Sequence, residues 1–418
     1  MLGLLATQHS GFILGPIAKL LGLIMNAIFN IMDSVFGVQN IGLCIILFTI
    51  VIYMFMLPLT YKQQKFSKMS AKMSPELNAV RKKYEGKQDQ ASMMAMNDET
   101  KAVYAKYGVS ASGSCVQLLI QMPILFALYR VIYNVPAYIT GVKNVFMPLV
   151  DKLLVAEGSV EYMTQLGTSL GISKKLDFAA ANTMVDVLNK FQSNNWVELS
   201  EKFPELSDLI FSTQAEVDHM NSFLGINIAN SPSTLLKSGV VTLMIGAIAI
   251  PALAALTQWL NTKLMPQPAA SENGDDTMSQ SMKQMNIMMP LMSAVFCFTL
   301  PSGLGLYWIA SSVVRCVQQL VLNKHFDKID LDEMIQKNLE KLNEKRAKEG
   351  LPPARLNEKA IREAQAKPVD EKKAAEKRAA TQEAIKKSTA YYNENAKPGS
   401  LASKANMVKK FDEKNNKK

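Results

Sequence analysis

Five apolar segments of this chain, residues 41–60, 115–137, 235–260, 286–300 and 303–322, contain no aspartate and no glutamate. Transporters driven by protons or cations commonly hold the coupling ion on an acidic residue inside a span. The chain also shows no internal repeat and no matching pair of interrupted spans, which many secondary transporters have. These absences argue against a secondary transporter or channel for a small solute, which stays an alternative.

Cysteine and histidine are scarce, with four and three residues among 418. No CxxC pair occurs, and the cysteines lie in or beside apolar segments, so neither a disulfide framework nor a metal site is indicated. The chain also lacks a GxxxxGK(S/T) phosphate loop and a GxGxxG motif after a strand-like segment. We therefore expect no metal site and no nucleotide-driven work by this chain.

Apolar residues, 48% of the chain, are gathered into blocks of about twenty. Blocks of that length match the hydrocarbon thickness of a bilayer, roughly 30 Å. An all-α integral membrane protein with five transmembrane helices is therefore predicted. We place the spans at residues 41–60, 115–137, 235–260, 286–300 (a short one) and 303–322.

The N-terminal segment, residues 1–36, is apolar but carries a polar stripe between residues 12 and 36. Lys19, Asn26, Asn30 and Asp33 are spaced by seven, four and three residues, so they share one face of a helix. A helix of this kind favours the membrane interface. We predict an interfacial amphipathic helix, with a spanning helix as the alternative.

Basic residues indicate the orientation in the membrane, because cytoplasmic loops retain Lys and Arg. Residues 61–114 carry ten basic and five acidic residues, whereas residues 140–232 carry six and eleven. We therefore place residues 61–114, 261–285 and 323–418 inside and the helical insertion 140–232 outside. The prediction is a multi-pass protein of the bacterial cytoplasmic membrane, with its N-terminus outside and its C-terminus inside.

The tail, residues 323–418, is rich in Lys, Glu, Ala and Arg and has no evident apolar stripe from residue 326 onward. This composition favours a solvated helix that passes into disorder. Its excess of basic residues would also suit an RNA-rich surface such as a ribosome. Both interpretations stay open.

Arg315 is the clearest polar group inside an apolar segment. It lies nine residues before Lys324, about three helical turns inside the membrane. A central arginine costs roughly 2.5–3.5 kcal/mol, so it should face protein or water. The same face carries four more polar side chains, which are Tyr307, Ser311, Gln318 and Gln319.

Two other spans offer polar residues at a similar depth. Tyr53 lies nine residues before Lys62, and Thr49 shares its face; in the second span Gln117 and Gln121 are four residues apart. These side chains would line a hydrophilic groove that opens inward and contacts clients. Alternatively, they hydrogen-bond between packed helices. Arg130, on the opposite side from Gln121, is predicted to reach outward, with a groove role as the alternative if Pro123 kinks the helix.

Four motifs resemble the YidC/Oxa-type membrane protein insertases. They are LPLTYKQQKFSKMSAKM, QLLIQMPILFALY, FLGINIANSP and LPSGLGLYWIASSVVRCVQQ, and the similarity covers about residues 12–139 and 223–325. The resemblance implies five core spans, an inward-open hydrophilic groove, no cofactor and a cytoplasmic helical hairpin, here residues 61–114. One position departs: the family commonly has an Arg where this chain has Tyr53. Arg315, at equal depth, is predicted to supply that charge.

The predicted function is therefore a membrane protein insertase or chaperone. Its predicted partners are nascent membrane proteins and lipids, with the ribosome and the general secretion channel as further candidates and no specific DNA. Methionine-rich runs at residues 67–74 and 92–96 of the inner loop suit contact with varied apolar clients. The alternatives are the transporter or channel named above and an accessory scaffold of the secretion machinery.

Overall fold

The computed structural model describes residues 8, 11–87, 89–110, 113–173, 176–264 and 277–366. The chain divides into two compact units, Met1–Leu356 and Asn357–Lys418. Almost all of the described secondary structure is helical, which confirms the all-α class. The helices are α1 (Leu14–Phe36), α2 (Ile41–Phe55), α3 (Leu57–Lys83), α4 (Gln90–Lys106), α5 (Gly113–Tyr133), α6 (Thr140–Leu153), α7 (Ser159–Ser169), α8 (Ala181–Leu188), α9 (Ser193–Lys202), α10 (Ser207–Asn221), α11 (Pro232–Leu235), α12 (Val241–Leu264), α13 (Thr277–Thr299), α14 (Ser302–Phe326), α15 (Leu331–Lys348) and, in the second unit, α16 (Glu358–Ala366).

Local sequence signals set the connection between α1 and α2. Gly37 takes the left-handed conformation (φ 64°), and its N–H donates to the carbonyl of Asp33 (2.9 Å), which ends α1. Asn40 then caps α2, because its side chain accepts a hydrogen bond from the N–H of Leu43 (2.9 Å). α2 therefore begins at Ile41, where the hydropathy pattern starts its first span.

The helix at the first predicted span, residues 41–60, is broken. α2 ends at Phe55, α3 begins at Leu57, and the two helices are bent by 58°. Pro58 has no N–H to continue the hydrogen bonding of α2, but it fits the first turn of α3, where no helical partner is needed. The proline therefore turns the chain out of the direction of α2.

Other boundaries differ from those expected. The third predicted span starts at residue 235, but residues 232–238 form short helical turns that end at Gly239 (φ 72°), and α12 follows. α13 and α14 extend beyond the predicted spans, because Ser, Gln, Lys and Met continue a helix where the apolar run stops. Among the described residues, α1 and α12 are long and apolar enough to cross a membrane, and α2 with α3 makes a third if the bent pair counts as one span.

The helical insertion, residues 140–232, has a packed core of its own helices. Phe146, Met184 and Leu199 are fully buried in it, and the core continues into that formed by α1, α2 and α5. A two-stranded antiparallel hairpin follows, with β1 (Ser222–Phe223) and β2 (Ile226–Asn227). Both of its loop residues, Leu224 and Gly225, have positive φ, as a type I′ hairpin turn requires.

The tail is folded further than its composition indicated. Ile335 of α15 is 4% exposed and packs with Met69, Met73 and Tyr107 of α3 and the end of α4. Asn338 donates to the carbonyl of Tyr107 (3.0 Å). The prediction that no apolar stripe exists from residue 326 onward is wrong for α15, because a few apolar residues at helical spacing suffice to dock one short helix.

Two ion pairs join α3 to this part of the chain. Lys68 pairs with Asp327 (2.9 Å), which follows the end of α14, and Lys72 pairs with Asp332 of α15 (3.0 Å), both at the surface. Surface pairs of this kind contribute little, typically below about 1 kcal/mol each. The apolar contacts of α15, made by Ile335 with Leu331 and Met334, therefore contribute most of the docking energy.

Candidate functional site

Arg315 lies where α14 packs against α2 and α12. Its Nη2 donates to Gln258 Oε1 (3.2 Å) and Ser312 Oγ (3.3 Å), and its Nε donates to the carbonyl of Ser311 (3.3 Å). Its Cζ lies 5.9 Å from the ring centroid of Tyr53, within range of a cation–π contact. These hydrogen-bond partners are all neutral.

Among the described residues, no acidic side chain forms an ion pair with Arg315. None of the ion pairs in the described part of the chain includes it. The residue is half-buried, so its guanidinium is partly removed from water. A cation held in this way by neutral dipoles can attract an anion without breaking an existing salt bridge.

Four of the predicted site residues meet at this position but are buried. Tyr53 and Tyr307 are 4% and 5% exposed and close enough to share a hydrogen bond, while Thr49 and Ser311 are 0% and 1% exposed. The hydroxyls of Thr49 and Ser311 donate to carbonyls of their own helices, at 2.6 and 3.0 Å. The hydroxyls of Thr49 and Ser311 therefore form no hydrogen bond between helices, and both the groove and the packing alternative stay predictions for these four residues.

The side-chain amide of Gln318 forms a hydrogen bond through its nitrogen but not through its oxygen. Its Nε2 donates to the carbonyl of Tyr53 (2.7 Å), at the position where α2 approaches its end. Its Oε1 is buried and has no hydrogen-bond partner among the described residues. A buried acceptor without a donor costs about 1–3 kcal/mol, which is an energy that a visiting donor can recover.

Gln319 belongs to a chain of amide hydrogen bonds that leads away from Arg315. Its Nε2 donates to Gln64 Oε1 (2.7 Å), and Gln64 Nε2 donates to Asn323 Oδ1 (2.5 Å). Asn323 in turn donates to the carbonyl of Leu264 (3.2 Å) at the end of α12. The network joins α3, α12 and α14 and is fully enclosed by them at Gln319, which is 8% exposed.

The polar residues of α5 are less completely defined. Gln121 is half-buried, whereas the side chain of Gln117 lies outside the described residues. Arg130 is exposed and lines a cavity near the other end of α5. Arg130 therefore points away from the site around Arg315, as its position opposite Gln121 predicted.

Sequence reasoning missed Gln258, Gln64 and Asn323. Gln258 is 7% exposed and accepts hydrogen bonds from both Arg315 and Ser312. It lies five residues before Lys263, so the same depth counting that singled out Gln121 also applies to it. Gln64 and Asn323 lie beyond the predicted span ends, where nothing in the hydropathy marks them.

Outside the apolar helices, charge is buried in the paired helices α3 and α4. Glu76 is 2% exposed and accepts hydrogen bonds from Lys106 (2.9 Å) and the hydroxyl of Tyr107 (3.0 Å). Burial, and the neighbouring Glu76 carboxylate, raise the pKa of Tyr107. Among the described residues no group of three or more His, Cys, Asp or Glu is placed to hold a metal ion.

Comparison with known proteins agrees with these features. A family model described as 60Kd inner membrane protein matches residues 31–329. Membrane protein insertase YidC 1 of Streptococcus pyogenes serotype M3 is 28% identical over 312 residues, which cover 74% of this chain and 77% of that protein. Membrane protein insertase YidC of Oceanobacillus iheyensis is 24% identical over 70% of this chain and 79% of that protein.

A shorter stretch is more similar still. Membrane protein insertase MisCA of Bacillus subtilis is 41% identical over 99 residues, 24% of this chain and 38% of that protein. The family match includes α2 to α14 and with them every residue placed around Arg315. Because the match covers well over half of the sequence, the chain belongs to the 60Kd inner membrane protein family.

Proposed function

We propose that this chain inserts hydrophobic proteins into the bacterial cytoplasmic membrane through a polar groove that opens toward the cytoplasm. The observation that carries the proposal is Arg315, a half-buried cation whose hydrogen-bond partners are neutral. The family, and relatives named as membrane protein insertases, support the same function. Insertion changes no covalent bond, and the chain is not an enzyme.

The half-buried polar side chains are proposed as the client contacts. These are Arg315, Gln318 and Gln121, and Gln117 joins them by its helical spacing from Gln121. The buried residues support them from beneath: Tyr53 by contact with the guanidinium, and the others by packing. The supporting set is Tyr53, Thr49, Tyr307, Ser311 and Gln319. Arg315 would thus replace the charge that the family commonly carries at the position of Tyr53.

Five spans are proposed, formed by α2, α5, α12, α13 and α14. The excess of basic residues in 61–114 and of acidic residues in 140–232 supports an inner α3–α4 hairpin and an outer helical insertion. With that orientation the N-terminus is outside and the C-terminus inside. The amide network of Gln319 then lies at the cytoplasmic mouth of the groove.

Helix α1 is proposed to lie along the outer membrane surface. Tyr138 packs over Gly22, and the N–H of Thr140 donates to Asn26 Oδ1 (2.9 Å). Residues 22–29 cover about 10 Å of helix, and they meet a segment just beyond the end of α5. An interfacial helix crossing the outer ends of the spans accounts for these contacts.

The inner hairpin and the tail are proposed to receive clients. Met93 and Met94 of α4 are 57% and 62% exposed, and flexible thioethers suit varied apolar partners. The basic tail is proposed to hold the ribosome, and the general secretion channel is a further proposed partner. Both would keep a nascent segment close to the groove.

The main free-energy cost of insertion is moving the polar flank of a client across the bilayer. About twenty apolar residues contribute roughly −0.3 to −0.6 kcal/mol each, or about −6 to −12 kcal/mol in total, on entering lipid. The flank must cross hydrocarbon, where each exposed polar group costs several kcal/mol. A hydrated groove shortens that path, and Arg315 stabilises an acidic flank within it.

The test uses liposomes that contain only the purified full-length protein. A one-span client with a short external flank is added, and the protease-protected fragment is measured. Protection above that of protein-free liposomes supports insertion by this chain. No protection, with circular dichroism showing a folded protein, would contradict the proposal. A matched variant of a lipid-facing residue, Val317→Ala (Val317 is 55% exposed), should insert normally.

A further inference from the structure

A cavity of about 340 Å³ lies at the end of α5 that is remote from Arg315. It is bounded by Gln8, by the end of α5 with the segment that follows, and by parts of the helical insertion. Two basic side chains, Arg130 and Lys190, line it. In the proposed orientation the cavity lies on the outer side of the spans.

The charged groups around the cavity leave it positive. Arg130 is exposed, and Lys190 is half-buried with its Nζ 5.6 Å from the ring centroid of Tyr133. Lys143 and Lys190 both face the carboxylate of Asp186, which is 7% exposed. Of the described charged residues that line the cavity, Arg130 and Lys190 are cations and Asp186 is an anion, and this excess of one positive charge favours an anionic ligand.

Lys190 is costly to keep charged at this place. Burial lowers its pKa, and within the described part of the chain it forms no ion pair within 4 Å. Arg130 likewise forms no ion pair within that part of the chain. An anion placed between the two side chains would offset the burial of Lys190.

A second cavity of about 380 Å³ adjoins the first and shares Tyr133, Asn189 and Lys190 with it. One side of it is apolar and comes from the ends of α2, α5 and α14 nearest the helical insertion. That side is lined by Ile41, Ile45, Ile132, Val135, Leu300 and Pro301. The two cavities together place a cationic compartment beside an apolar wall.

We propose that this pair of cavities binds an anionic phospholipid of the outer leaflet. Its phosphodiester lies between Arg130 and Lys190, and an acyl chain packs against the apolar side of the neighbouring cavity. The inference rests on the orientation given under the proposed function. A soluble phosphate would use the cations but not the apolar wall. The bound lipid would tie the helical insertion to the membrane next to α5.

The experiment is native mass spectrometry of the delipidated full-length protein in detergent. Three probes are titrated separately: phosphatidylglycerol, diacylglycerol and glycerol 3-phosphate. Phosphatidylglycerol should bind, and Arg130→Gln and Lys190→Gln should each weaken its binding about tenfold, the loss expected of one charge-assisted contact. Lys202→Gln, a change of an exposed lysine on the same insertion, should stay within about twofold.

Each other outcome overturns the proposal in a defined way. Equal binding of diacylglycerol means that the phosphate is not recognised, and equal binding of glycerol 3-phosphate means that the ligand is a soluble phosphate. Unchanged binding in both variants removes Arg130 and Lys190 from the site. Client insertion is measured on the same preparations: retained insertion with no lipid binding rejects the lipid site alone, and lost insertion with intact lipid binding rejects the insertase function alone.

Discussion

Replacing Arg315 with alanine should slow the insertion of clients with acidic external flanks far more than that of clients with neutral flanks. Two opposite charges about 6 Å apart, at an effective dielectric constant of about 20, attract by roughly 3 kcal/mol. The guanidinium is only half-buried, so water screens part of that energy. We take about half, roughly 1.4 kcal/mol, which corresponds to a tenfold lower initial rate.

The assay compares two clients that differ only in the flank, one with two aspartates and one with two asparagines. Both are added to liposomes containing the wild-type protein, Arg315→Ala or Arg315→Lys. The lysine variant keeps the charge but loses the hydrogen bonds to Gln258 and Ser312, so it should recover part of the rate for the acidic client. Raising the salt concentration should reduce the difference between the two clients.

The reasoning fails if Arg315→Ala slows both clients equally, because the residue would then act on the fold or on hydration and not on the client's charge. It also fails if neither client is affected. A melting temperature of Arg315→Ala close to that of the wild type is the control that separates these results from unfolding.

Three further predictions concern stability and the site. Gln318→Leu should change the free energy of unfolding by less than about 1 kcal/mol, since it removes one hydrogen bond and one unsatisfied acceptor together. Insertion by the same variant should nevertheless fall several-fold. Unchanged insertion would show that Gln318 is not part of the groove. Ile335→Ala should cost roughly 2–4 kcal/mol of docking energy and make α15 sensitive to limited proteolysis. Leu351→Ala, a change at a 47% exposed position, should leave the cleavage of α15 unchanged. Equal cleavage of both variants would contradict the docking. Glu76→Gln should destabilise the α3–α4 pair by roughly 3 kcal/mol, because it leaves Lys106 without its buried partner. Faster amide hydrogen exchange confined to α3 and α4 is the expected result, and unchanged exchange would refute the prediction.

Depth counting from the first cytoplasmic lysine placed Arg315 level with Tyr53, and the two side chains are in contact in the structure. This worked because the rise per residue is constant in both helices. Counting could not show which side chains are enclosed. Thr49 and Ser311 are on the expected face but satisfy their own helices, and only the packing of α2 against α14 reveals it.

The docking of α15 shows a second limit of the sequence. Ile335 stands among charged residues, and its burial depends on Met69 and Met73, more than 250 residues earlier in the chain. A pattern within one segment cannot identify a partner surface at that distance. The break after Phe55, by contrast, could be predicted from Pro58. The average hydropathy of residues 41–60 does not show it, because one proline hardly changes that average.

Site-specific photocrosslinking during insertion tests the groove most directly. A photoreactive amino acid is placed at Gln121, half-buried on the proposed groove side of α5, or at Phe126, 51% exposed and about 140° around the same helix. A client arrested in mid-insertion should crosslink through its polar flank at Gln121 and not at Phe126. Crosslinks of that flank at Phe126 alone would contradict a groove between α2, α5 and α14.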